Sequence, residues 1–155
     1  MFVKASVLAL SLLKQLEGWR DKPYADGGGK MTIGWGHLIG PNEHYERITK
    51  EEGEKLFQQD VLEAEEVVNN SVSVPLTQGQ FDALVLFVFN IGGDKFVTSG
   101  ALRALNAGRY DNAISRMQKW DKVMGDDGVY HPLNGLVKRR AIEAKIWQGL
   151  YPKSV

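Results

Sequence analysis

The sequence predicts an α+β fold that is mostly α-helical, with one small β-sheet near its start. Three observations lead there. An apolar stripe of helical period runs from about Ala5 to Glu17. A Gly-rich turn and a short alternating run follow, from Asp26 to Trp35. Two capping boxes, Thr49 with Glu52 and Thr77 with Gln80, then open long periodic apolar segments. At 155 residues the chain has the size of one domain. Its 43% hydrophobic and 25% charged residues supply a core and carry no signature of disorder. Cysteine is absent, which excludes disulfides, zinc–thiolate sites and a Cys nucleophile.

The first helix places Leu8, Leu12 and Leu16, with Ala9 and Leu13, on one face. Lys4 before this apolar run has the outline of a signal peptide. The run falls short of the roughly 20 residues that span a bilayer, and no Ala-x-Ala-like cleavage site follows it. We therefore read it as an amphipathic helix that stays with the fold. Gly18 and Pro23 end it. Asp26 to Gly29 form a turn, and Met31, Ile33 and Trp35 then alternate with Thr32, Gly34 and Gly36 as a strand. Glycine inside a strand marks the close approach of another backbone or a ligand.

Gly40, Pro41 and Asn42 form a loop, and Glu43 to Ile48 has no clear period. From Thr49 to about Asn69, Leu56, Phe57, Val61, Ala64 and Val68 make one stripe on an otherwise polar helix, which suits a connector between lobes. Phe81 to Ile91 is apolar nearly all round and predicts a buried helix, stopped by Gly92 and Gly93. Short helices are expected around Gly100–Asn106 and Tyr110–Lys122, the latter with Ala113, Ile114, Met117 and Trp120 as core contacts. Gly125 to Gly128 reads as a loop; its Asp126 and Asp127 lack the ligand spacing of a calcium-binding loop. The last helix is expected from about Leu133 to Gln148, with Val137, Ala141, Ala144 and Trp147 inward. The single domain then divides into residues 1–48, a connector at 49–72, and a helical lobe at 73–155.

The candidate chemistry lies between Glu17 and His37. Glu17 ends an apolar helix beside Trp19, Asp26 sits on a solvated turn, and Thr32 offers a hydroxyl on the next strand. Two carboxyls in unlike surroundings suit the divided roles of acid and base in glycoside cleavage. Taken alone, the same three residues read first as a helix-end Glu, a turn-forming Asp and a strand Thr.

The spacing resembles something more specific. Glu17, eight residues, Asp26, five residues, Thr32, then Ile33, Gly34, Trp35, Gly36 and His37, resembles the catalytic signature of tailed-phage lysozymes, glycoside hydrolase family 24. Thr49 to Asp60 resembles the start of that family's connecting helix. Pro75 to Leu84 with Phe89 to Gly92 resembles its central buried helix, and Leu136 to Ala144 its basic closing helix.

The resemblance implies a two-lobed phage-lysozyme-like fold. It implies that Glu17 is the general acid, that Asp26 positions water or stabilises the transition state, and that Thr32 holds the water. It implies a structural ion pair between His37 and Asp60. Leu38 and Phe89 match positions lining the sugar-binding cleft, and Ala101 and Arg116 fall near two further cleft positions. The implied reaction is hydrolysis, with inversion, of the β-1,4 bond between N-acetylmuramic acid and N-acetylglucosamine in peptidoglycan. No cofactor, metal or nucleic acid is expected, and no stable membrane insertion.

The implied source is a phage or prophage lysis cassette. The protein would be a monomer made in the host cytoplasm, reaching the periplasm through a lesion opened by a holin. Two rivals differ in class. A lytic transglycosylase needs only one Glu, and a non-catalytic wall-binding module needs none; intact Glu17, Asp26 and Thr32 argue against both.

The formal charge is zero but unevenly placed. Residues 1–72 carry 8 Lys or Arg against 12 Asp or Glu; residues 73–155 carry 11 against 7. Lys138, Arg139 and Arg140 form the densest basic group, and a basic C-terminal lobe facing a polyanionic wall would help encounter.

Overall fold

The computed structural model describes residues 1–155, which form seven helices and five short strands. Helix α1 spans Val7–Glu17; the Ser6 hydroxyl caps it by accepting from the Ala9 N–H at 3.2 Å. Gly18 closes it at φ +70°. Strands β1 (Arg20–Ala25), β2 (Met31–Gly34) and β3 (His37–Leu38) form an antiparallel sheet in that order. Thr32 lies opposite Tyr24 on one side and Leu38 on the other. Residues 20–25, which show no alternation, are thus a strand as well. Pro23 and a register shift between Arg20 and Tyr24 disguise it, because a proline fits a ladder at an edge or irregularity.

Both capping boxes are present, opening α2 (Lys50–Ser71) and α3 (Gln78–Ile91). Helices α4 (Gly93–Val97), α5 (Gly100–Asn106) and α6 (Tyr110–Gln118) follow. The acidic loop at 125–128 joins two strands, β4 (Lys122–Met124) and β5 (Tyr130–Pro132), before α7 (Asn134–Trp147). No helix is long and apolar enough to cross a membrane.

One core cluster of 24 buried residues gathers around α3, whose residues Phe81 to Val88 are all buried. Helix α1 contributes Ala9, Leu12 and Leu13, so it packs with α3 and the helical body. Leu8, expected on that face, is 61% exposed. Helix α7 departs further from expectation. Val137 and Ala141 face solvent, while Arg139, Arg140, Ile142, Glu143, Ile146 and Trp147 are buried. A stripe that counts only apolar residues selects the wrong face when charged side chains go inside as partners of one another.

Candidate active site

Glu17 is the last residue of α1, and its side chain is 16% exposed. Its carboxylate lies against the bare backbone of Gly36. A Cβ there would stand 2.7 Å from Glu17 Cδ, and Gly36 also holds φ +74°. Gly36 lies in the two-residue turn between β2 and β3 rather than inside the expected strand, and there it makes the close approach. Glu17 Oε2 accepts a close hydrogen bond from Arg139 Nη1 of α7, forming an ion pair. Trp19 enters a notch in α2, where a Cβ on Gly53 would come within 2.6 Å of its Cη2. Trp35 packs on Trp19 with ring centroids 4.5 Å apart, and on Phe57 at 6.1 Å.

Arg139 is held from behind. Its Nη2 donates to the Leu86 carbonyl at 3.4 Å, and its Nε lies 3.7 Å from Glu143 Oε2. Glu143 is buried, with Arg140 Nε 2.9 Å from Oε1 and Arg140 Nη2 donating to Oε2 at 2.9 Å. Burial pushes the Glu143 carboxyl up to about 7, against the pull of Arg140 and Arg139. The densest basic group is therefore largely internal: of Lys138, Arg139 and Arg140, only Lys138 is exposed.

Asp26 sits in the turn between β1 and β2, facing solvent. Its Oδ1 accepts from the N–H groups of Gly28 (2.9 Å) and Lys30 (2.8 Å), while Oδ2 makes no hydrogen bond within the protein. Thr32 is buried on the central strand, and its hydroxyl donates to the Tyr24 carbonyl at 3.4 Å. That leaves the hydroxyl oxygen's lone pairs available as acceptors.

His37 is clamped from both sides. Its Nδ1 lies 2.8 Å from Asp60 Oδ2, as the resemblance implies, and its Nε2 lies 3.0 Å from Glu43 Oε2. Glu43 also accepts from the Gly40 N–H (2.8 Å) and the Tyr45 hydroxyl (2.6 Å). The hydrogen bond with Asp60 is the largest cause lifting His37 to about 9. The Tyr45 hydroxyl, then Gly40 and His37, hold Glu43 down to about 2, and Glu43 in return raises Tyr45 to about 12.

A cleft of about 670 Å³ opens beside this clamp, walled by β3, α2 and the junction of α3 with α4. Leu38 and Phe89 both line it, together with Gly36, His37 and Asp60. Gly36 therefore belongs both to this wall and to the seat of Glu17. Ala101 is elsewhere, 2% exposed in the helical core. Arg116 lines a separate pocket of about 240 Å³ with Arg103 and Arg109. Sequence reasoning missed Arg139 as partner of Glu17, and Glu43 and Tyr45 as partners of His37. A signal existed for the first: Arg139, Arg140 and Glu143 stand at i, i+1 and i+4, the spacing of ion pairs along one helix face.

The family model described as phage lysozyme matches residues 14–143. An endolysin of Acyrthosiphon pisum secondary endosymbiont phage 1 is 39% identical over 139 residues, covering 90% of this chain and 94% of that protein. The solved endolysin from Escherichia coli O157:H7 phage FAHEc1 superposes with a TM-score of 0.84 at 35% identity, covering 97% of this chain and 98% of its own. The muramidase domain of SpmX from Asticaccaulis excentricus superposes with a TM-score of 0.81 at 38% identity, covering 93% and 97%.

Proposed function

The chain belongs to the phage lysozyme family, and from that membership we propose how its residues divide the work. It is a lysozyme-type glycoside hydrolase of the endolysin kind, acting on peptidoglycan in bacterial lysis. Glu17 is the general acid and protonates the bridging oxygen of the bond between N-acetylmuramic acid and N-acetylglucosamine. Asp26 orients the attacking water through Oδ2, the oxygen its turn leaves unused. Thr32 accepts a hydrogen bond from that water while donating to Tyr24. Leu38 and Phe89 supply apolar wall against the sugar faces.

The observation that carries this reading is the seat of Glu17. A carboxyl fixed by a cation on one side and on the other by the backbone of Gly36, itself a residue of the cleft wall, is built for one geometry. Water held by Asp26 and Thr32 favours direct displacement, so the new reducing end first appears in the α configuration. The protein acts as a monomer without cofactor, on the periplasmic wall, after a second protein has opened the membrane.

The test is clearing of permeabilised Gram-negative cells by Glu17→Gln. The amide keeps the shape but supplies no proton, so activity falls by about 100-fold or more. Wild-type clearing by a normally folded Glu17→Gln chain would sink the assignment. An NMR time course on a soluble glycan fragment tests the stereochemistry: a β-anomer first would mean retention, and a 1,6-anhydro end a transglycosylase.

A further inference from the structure

Glu143 is buried and unused by the mechanism above. Its surroundings show what it does. On α7 it faces Arg139 and Arg140, four and three residues before it. Arg140 is itself pinned: Nη1 donates to the Trp120 carbonyl at 3.2 Å, Nη2 to Asn90 Oδ1 at 2.7 Å, and its guanidinium stacks 4.9 Å over Phe87. Asp121, after α6, adds a negative charge acting on Arg140. Beside the Phe87 ring, α3 contributes the Leu86 carbonyl and the Asn90 amide, and α1 contributes Glu17. A buried row of alternating charge results: Glu17, Arg139, Glu143, Arg140. Arg139 Nε has no hydrogen-bond acceptor, so the charge of Glu143 at 3.7 Å is what it meets on that side.

We infer that Glu143 is a positioning residue for the proton donor: its buried carboxylate shares Arg139 with Glu17, so that a divided positive charge bears on the catalytic carboxyl. With Glu143 neutral, Arg139 would act on Glu17 alone and favour its carboxylate form, which cannot donate a proton. Burial raises the Glu143 carboxyl to about 7, so the sharing grows as pH rises through neutrality, where a general acid is hardest to keep protonated. The inference rests on Glu17 being the acid.

The test is the pH profile of kcat/KM for Glu143→Gln on a soluble glycan. Losing the negative charge moves the alkaline limb down by about one pH unit, while the wild-type and variant profiles converge on the acid side. A profile lowered uniformly with its limb unmoved would overturn the proposal and leave Glu143 a structural residue. Should Glu143→Gln fail to fold, the wild-type chain carries the test. With ¹³C-labelled glutamate carboxyls, assigned by Glu17→Gln and Glu143→Asp, the Glu17 resonance shifts in two steps, one coinciding with the titration of Glu143. A single step refutes the coupling. Activity of Glu17→Gln distinguishes the two readings: if it is retained, the general-acid assignment fails; if it is lost and the limb stays put, only the role of Glu143 fails.

Discussion

Asp26 owes its place to two backbone amides, and an asparagine can accept both of them. Asp26→Asn therefore keeps the turn and removes the charge, and the clearing rate should fall by about 100-fold. Asp21 is also acidic and near in sequence, but it pairs with Arg47 at the surface at 3.3 Å. Asp21→Asn should clear cells within about twofold of wild type, since surface pairs contribute little. Equal losses in the two variants would show that only local negative charge matters. Gly36→Ala tests the seat of Glu17: a methyl group would overlap the carboxylate, at a backbone angle that non-glycine residues rarely adopt. Activity should be lost while circular dichroism stays near wild type. Glu17, Asp26 and Thr32 could be singled out as candidates because they lie within one short stretch. Arg139 was not, because it is 122 residues from its partner, and only folding makes them neighbours.

At the scale of elements, β3 is two residues long and depends on His37 for its attachment to α2. Pairing raises His37 from 6.5 to about 9, so its stabilisation is complete below pH 6.5 and is lost as pH rises towards 9. Glu43 is lowered from 4.5 to about 2, so its contribution is present above 4.5 and is lost as pH falls towards 2. Both act together between pH 4.5 and 6.5. Asp60→Asn should cost about 2 kcal/mol of unfolding free energy in that window, and less above pH 9. Urea titrations at a series of pH values measure this; a loss that does not vary with pH would contradict it. The capped helices α2 and α3 were legible from their boxes and apolar periods, and α5 and α6 from their small segments. Helix α4 escaped notice because it is five residues long and begins at the Gly92–Gly93 pair that reads as a stop. The β4–β5 hairpin was hidden because its strands are three residues long and largely exposed, and its Gly-Asp-Asp-Gly turn looks like a plain loop.

Across the whole molecule, Asp82 of α3 gathers segments from both ends of the fold. It is fully buried and accepts from the Ser6 N–H (2.9 Å), the Ser6 hydroxyl (2.5 Å), Gln78 Nε2 (2.9 Å) and the Tyr151 hydroxyl (2.5 Å). Tyr151→Phe removes one of these and should lower stability by about 1–2 kcal/mol in urea unfolding, with clearing activity kept. An unchanged midpoint would mean that this bond contributes nothing net. The sheet joins the helical body by other means: Trp19 seated in the Gly53 notch, and the Ile48 N–H bonded to the Asp21 carbonyl at 2.9 Å. Glu17 is fastened to helices α1 and α7, whereas Asp26 rides on the hairpin. The reach between the two carboxyls is thus a property of the seam, like the gap of a caliper whose jaws belong to separate arms. A side chain that shims the seam, as Gly53→Ala would, changes that gap without altering either jaw, so turnover becomes a gauge of how the arms are set.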